Sequence, residues 1–153
     1  MPIPDFIVEL RKRIGHDPLW LPAVTCVVVR GDEILLVRRV DNGEWSPVTG
    51  IVDPGENPAM TAVREVLEET DVQCLVEQLV WVTVGAPVVH ANGDQAQYLD
   101  LVFRCRYLRG LARIADDESM DVGWFRVKDL PPMQPYLMSR IEVALRHKGP
   151  ARL

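Results

Sequence analysis

"GIVDPGENPAMTAVREVLEETDV", Gly50 to Val72, is the stretch on which the fold turns. Its second half reads as a helix that opens after Asn57 and closes before Asp71. Wound at about 100° per residue, Ala59, Val63, Val66 and Thr70 form one stripe, with Ala62 and Leu67 on its flanks. Asn57 is expected as the N-cap, and Pro58 suits the first turn, where a missing N–H costs nothing. Glu65, Glu68 and Glu69 fall on the opposite side within an arc of about 100°. Like charges at i,i+3 and i,i+4 repel. Glu68 and Glu69 also lie at the negative end of the helix macrodipole, where a lysine would stabilise. Each misplacement costs from a few tenths up to about 1 kcal/mol.

Two explanations fit such a helix. One is a solvated acidic face, offset by Arg64 four residues before Glu68 and screened by salt. The other is a hard-cation site, where Mg2+ or Mn2+ supplies the missing positive charge. Magnesium fits well, because it takes few protein oxygens and keeps places for water and substrate phosphates.

Around this helix the chain reads as a single domain over residues 1–153. Its length and its 48% hydrophobic content are enough for one core. A net charge of −5 without a lysine or arginine block argues against a general nucleic-acid or membrane surface. No apolar run approaches the roughly 20 residues of a membrane span, and "MPIPDFIVELRKR" lacks the order of a signal peptide, so a cytoplasmic protein is expected. Cys26, Cys74 and Cys105 are odd in number, far apart and set among apolar residues, as buried free thiols are.

"DFIVELRKRIG" predicts a short helix capped by Asp5 and stopped by Gly15, with Phe6, Ile7, Leu10 and Ile14 on one face. That face packs either on the core or on a partner chain, which leaves a homodimer open. Two hairpins are expected: "AVTCVVV" and "EILLVRR" about Gly31-Asp32, and "LVWVTVGAPVVH" and "QAQYLDLVFRCRY" about Asn92-Gly93. "VGWFRV" adds a strand, and "PYLMSRIEVALRH" a closing helix with Leu137, Ile141 and Leu145 on one face. The mixture lacks a βαβ rhythm and implies an α/β fold with a mixed β-sheet between helices.

The quoted stretch resembles the signature of the Nudix hydrolases, G-x5-E-x7-R-E-U-x-E-E-x-G-U, with U a bulky aliphatic residue. Gly50, Glu56, Arg64, Glu65, Val66, Glu68, Glu69 and Val72 match at the right spacing. Asp71 stands where the family has glycine; Asp is among the few residues that tolerate the left-handed backbone such a position uses. Just upstream, "WSPVTG" places Val48 and Thr49 where the family often has Pro-Gly. The resemblance implies the family's α/β/α sandwich and a pyrophosphohydrolase that cleaves a nucleoside diphosphate linked to another moiety. It implies Glu65, Glu68 and Glu69 as ligands to Mg2+, or Mn2+ in its place, with the Gly50 carbonyl oxygen as a fourth. Arg64 is expected to hold a glutamate in place, while Glu56 either binds metal or braces its loop.

Beyond the box several residues are candidates for contact with substrate. Glu118, in "ADDESMD", lies where some family members bring in an extra acid; an ordinary solvated loop is the alternative. Arg38 or Arg39 is expected to reach a phosphate, since neighbours on a strand face opposite sides. Trp45 either stacks on a base or belongs to the core. Pro87 lies 15 residues past Val72, a spacing found in family members acting on ADP-ribose and related nucleotide sugars; the alternative is a proline that marks a strand edge. The expected partner is therefore a nucleotide of the ADP-ribose or nucleotide-sugar type, with no nucleic acid and no membrane. The alternatives are a house-cleaning nucleoside triphosphate pyrophosphohydrolase, a nucleotide-sensing module without catalysis, or isomerase or decapping chemistry on the same fold.

Overall fold

A run such as Val24 to Val29 is apolar on both sides of the strand, and such strands form where both faces of a sheet are covered. The computed structural model, which describes residues 3–153, has that architecture. In chain order it contains α1 (Asp5–Ile14), β1 (Leu19–Arg30), β2 (Glu33–Arg39), β3 (Trp45–Ser46), β4 (Val48–Ile51), α2 (Pro58–Thr70), β5 (Gln73–Val84), β6 (Val88–Val89), β7 (Gln95–Arg109), β8 (Ser119–Arg126) and α3 (Pro135–Arg146). One face of the sheet carries Val24, Cys26, Val28, Leu35, Val37 and Phe103 against Ala62 and Val66 of α2. The other carries Val27, Ile34, Leu36 and Val102 against Ile141 and Ala144 of α3. The expected α/β/α sandwich is thus built by period-two alternation along β1, β2 and β7.

The sheet is mixed. β1 and β7 run parallel from Leu19↔Ala96 to Val29↔Arg106, while the remaining pairings are antiparallel. β1 and β2 pair at Val29↔Ile34 and Arg30↔Glu33, across the turn at Gly31, whose φ is +60°. Beyond that hairpin end, residues 45–51 pass between the two strands. β3 pairs with β2 (Val37↔Ser46, Arg38↔Trp45), and β4 pairs with β1 (Cys26↔Val48 to Ala23↔Ile51). Since β1 and β2 are antiparallel, β3 and β4 must run in opposite senses. They form a V with Pro47 at its apex, and the sheet opens between its arms. Sequence patterning did not show these two short arms.

α1 forms over the expected residues, but Pro4 occupies the N-cap position and Asp5 is already helical, so Asp5 is no cap. Gly15 closes the helix at φ +60°. Ile7 is buried with Leu21, Ile51 and Ala96, so this face packs on the chain's own core, whereas Leu10 is exposed. All three cysteines are buried free thiols. Among the described residues no helix is long and apolar enough to cross a membrane.

Candidate metal centre and active site

Helix α2 starts and stops as its sequence dictates. Asn57 holds the N-cap position without a side-chain capping bond, and Pro58 follows it. Asp71 ends the helix in the left-handed conformation (φ 58°, ψ 16°), with its N–H donating to Leu67 O. It is the single non-glycine residue of positive φ among the described residues, and its carboxylate pairs with Arg113 at 2.8 Å. Aspartate therefore fills the family's glycine position with the backbone that position needs.

The buried face of α2 differs from the expected one. Thr61, Ala62, Glu65, Val66, Glu69 and Thr70 are buried, while Leu67 is exposed and Ala59 and Val63 are half-buried. Two of the three glutamates thus lie against the sheet, not opposite to it. Glu65 is 2% exposed and Glu69 6%. Gly50 makes this possible, because a Cβ there would sit 2.3 Å from Glu65 Cγ and 2.6 Å from Oε1. Alternation along β4 sends Val48 into the core under α2 and turns Thr49 to the opposite face, away from Glu65.

Burial without full compensation raises a carboxyl pKa. It pushes Glu65 up to about 7 against the pull of Arg64. It pushes Glu69 up to about 8, with the nearby charges of Glu65 and Asp116 adding to the rise and Arg39 opposing it. Glu56 moves the other way. Arg64 donates to both its oxygens (Nε–Oε1 2.9 Å, Nη2–Oε2 2.8 Å) and Thr61 Oγ1 adds a bond at 2.7 Å, which lowers its pKa to about 2. Arg64 Nη1 also donates to Glu65 Oε1 at 2.9 Å and Glu68 Oε2 at 3.1 Å. One guanidinium therefore ties the loop before the helix to two of its three acids. Glu68 has a side chain 52% exposed and points outward from the buried pair.

The remaining acids arrive from the loop before β8. The N–H groups of Arg113 and Ala115 donate to Thr70 O and Glu69 O, so the loop docks on carbonyls at the end of α2. Asp116 Oδ1 accepts from the N–H groups of Glu118 and Ser119, and Glu118 O accepts from Val40 N–H. The carboxylates of Glu69, Asp116 and Glu118 come within 4.8 Å of one another. Glu69 makes no side-chain hydrogen bond or ion pair with another described residue, although it is buried. An oxygen-only set around a buried carboxylate has the donor chemistry of a magnesium or manganese site. Glu118 was singled out in the sequence; Asp116 was not, although it belongs to the same acidic run.

The candidates on β2 and β3 separate onto two faces. Arg39 is turned toward the acids, with Nε and Nη2 held by Asp41 at 2.9 and 2.7 Å. Arg38 lies on the opposite face beside Trp45, with Nε donating to Gly43 O at 2.8 Å. Together Arg38 and Trp45 line a cavity of about 590 Å3, completed by Glu44, Met133, Gln134 and three prolines of the 131–135 loop. Trp45 is half-buried and meets Phe125 edge-to-face, with centroids 4.6 Å apart. It belongs both to the packing and to the cavity wall.

A family model of the NUDIX domain matches residues 19–145. Among curated proteins, the NAD-capped RNA hydrolase NudC of Pseudomonas putida is 37% identical over 118 residues, which is 76% of this chain and 40% of that protein. The NudC of Stutzerimonas stutzeri is 33% identical over 122 residues, 78% of this chain and 41% of that protein. The chain thus spans about two fifths of the length of these relatives. Among solved structures, a UDP-X diphosphatase superposes with a TM-score of 0.70 at 23% identity, over 97% of this chain and 74% of that one. A NUDIX hydrolase from Nitrosomonas europaea gives 0.68 at 25% identity, over 87% and 93%. An ADP-ribose pyrophosphatase from Streptococcus suis gives 0.66 at 22%, over 86% and 96%.

Proposed function

This chain belongs to the Nudix family, and from that premise we propose a metal-dependent pyrophosphohydrolase that cleaves the phosphoanhydride of a nucleoside diphosphate joined to a second moiety. The observation that carries the reading is Glu69, buried and facing Asp116 and Glu118 beside Glu65 on Gly50. Glu65, Glu68 and Glu69, with the Gly50 carbonyl, would hold Mg2+ or Mn2+, and Asp116 and Glu118 extend the set. When bound, such an ion neutralises phosphate oxygens and makes water more acidic.

The chain's own groups do the rest. Arg64 and Glu56 hold the loop and the helix in register, so that Glu65 keeps its place over Gly50. Arg39 places a positive charge on the side of the sheet where the phosphates enter. Asp116 and Glu118 are half-buried and open to water, and between them they take the proton of the attacking water. Water attack on phosphorus breaks one P–O–P bond and leaves two phosphate monoesters.

The relatives' activities fall in the same class: an NAD cap, a UDP-linked group and ADP-ribose each carry a diphosphate joined to two moieties. A small nucleotide of the nucleotide-sugar type, not RNA, is the proposed substrate, because the net charge of −5 supplies no broad basic surface. Three unpaired cysteines accord with a reducing compartment such as the cytoplasm. The test is a panel of ADP-ribose, nucleotide sugars, NAD, dinucleoside polyphosphates and nucleoside triphosphates, assayed with Mg2+ and with chelator. Release of a nucleoside monophosphate from a diphosphate-linked compound, with Mg2+ only, supports the reading. Pyrophosphate release from triphosphates alone would replace it with the house-cleaning activity, and no hydrolysis would leave a sensing module.

A further inference from the structure

We propose that Asp41 is a positioning residue for phosphate binding: it holds one edge of the Arg39 guanidinium and leaves Nη1 for a phosphate oxygen of the substrate. The inference rests on the pyrophosphohydrolase reading for what Arg39 meets. Both residues belong to "RRVDNGE", Arg38 to Glu44, the stretch that leaves β2 and turns into β3.

The backbone places Arg39 before any ligand arrives. The register of β2 with β8 slips from Arg38↔Asp121 to Arg39↔Ser119, so that Met120 is an extra residue. A bulge of this kind re-aims the side chains beside it, and here it falls at the arginine next to the acidic loop. The turn that follows is closed on itself. Arg39 N–H donates to Glu44 O at 2.9 Å, Gly43 N–H to Arg39 O at 2.8 Å, and Glu44 N–H to Asn42 Oδ1 at 2.9 Å, with Gly43 at φ +70°. It is also pinned from both sides. Val40 N–H donates to Glu118 O at 2.8 Å, and Gln134 Nε2 at the start of α3 donates to both Glu44 carboxylate oxygens, at 2.9 and 2.8 Å. Arg39 is therefore fixed beside the Glu118 backbone, where the charge of Glu69 acts on it.

Asp41 then fixes the side chain. Its two oxygens accept from Arg39 Nε at 2.9 Å and Nη2 at 2.7 Å, the two-pronged arrangement that sets the plane of a guanidinium. Nη1 carries two more N–H groups and has no partner among the described residues. The side chains of Arg39 and Asp41 are 39% and 58% exposed, and an ion pair so open to water adds little to folding. Its consequence is for binding. A free arginine side chain must be ordered when it takes a phosphate, and Asp41 does that ordering beforehand.

The experiment is steady-state kinetics with Mg2+ on the diphosphate-linked compound turned over best, for wild type, Asp41→Ala, Arg39→Ala and the double variant. The same four proteins are titrated calorimetrically with α,β-methylene-ADP, whose bridge resists hydrolysis. Asp41→Ala is expected to raise KM about three- to tenfold, the scale of ordering one long side chain, with kcat within about twofold of wild type and Tm unchanged. In the Arg39→Ala background the same substitution is expected to change neither KM nor analogue affinity, because Asp41 acts only through Arg39. An unchanged or lower KM in Asp41→Ala, or an effect of equal size with and without Arg39, would overturn the assignment. If no compound is hydrolysed, the pyrophosphohydrolase reading fails and the titration alone decides on the pair: analogue affinity that Asp41→Ala weakens only where Arg39 is present keeps it, and any other pattern removes it. Metal-dependent hydrolysis whose KM ignores both residues would remove the pair and leave the reading standing.

Discussion

Replacing Glu69 by Gln should stabilise the metal-free protein, by an amount that depends on pH in a defined way. A carboxyl raised from its ordinary 4.5 to about 8 keeps its proton in the folded state while the unfolded chain releases it. Between those values the folded state binds more protons, so stability falls as pH rises; below 4.5 both states are protonated and the effect vanishes. At about 1.4 kcal/mol per pH unit, the interval amounts to roughly 3–5 kcal/mol by pH 8. For a chain of this length that corresponds to roughly 10 °C in Tm. The assay is thermal unfolding in chelator from pH 4.5 to 8.5. Wild type is expected to lose Tm steadily as pH rises, and Glu69→Gln to lose only the part that Glu65 contributes up to about pH 7, so that the two curves meet near pH 4.5 and separate above it. Saturating Mg2+ closes most of the gap at pH 8, since an ion at a hundred times its Kd adds about 2.7 kcal/mol to wild type alone. A wild-type Tm that is flat over this range, or a slope above about pH 7, where Glu65 has already titrated, that survives the substitution, would refute the reasoning.

Gly50→Ala places a methyl group 2.3 Å from Glu65 Cγ, so it is expected to cost about 1–3 kcal/mol in thermal unfolding and to weaken Mg2+ binding by displacing that carboxylate. Asp71→Gly keeps the left-handed helix end and loses an ion pair to the exposed Arg113; unfolding and turnover should show a stability change within about 1 kcal/mol and activity near wild type. Asp116→Asn and Glu118→Gln should each reduce kcat by at least about tenfold with little change in Tm, as measured by steady-state kinetics beside thermal unfolding; full activity in both would remove the loop from the centre.

The helix that carries the site was legible because its boundaries are chemical: Pro58 can only begin it, and Asp71 takes the backbone that ends it. Its buried face was not. Periodicity put Glu65 and Glu69 on the outside, as carboxylates on an ordinary helix would be. What admits them is a missing side chain on another strand, at Gly50, which no pattern within the helix encodes. Asp116 stayed hidden for a related reason. An acidic run looks the same in a solvated loop and in a ligand loop, and only the docking of Arg113 and Ala115 on the end of α2 separates the two. The arms of the V are short, and Pro47 breaks their alternation, so Trp45 was seen as a candidate without the cavity that it lines. Asp5 was expected as a cap on its side-chain chemistry, although the helix begins at that aspartate, with Pro4 in the cap position and no capping bond.

The most direct test of metal-dependent phosphoanhydride cleavage at Glu65, Glu69 and their neighbours is hydrolysis of the nucleotide sugar turned over best in the substrate panel, in 18O-labelled water, followed by mass spectrometry of the products. With Mg2+ present, wild type should yield a nucleoside monophosphate and a sugar phosphate in equal amounts, with one 18O on one of the two phosphates. Glu69→Gln should lower the rate by orders of magnitude with its fold intact. Products with 18O on the sugar carbon, equal rates in chelator, or a fully active Glu69→Gln would contradict the account.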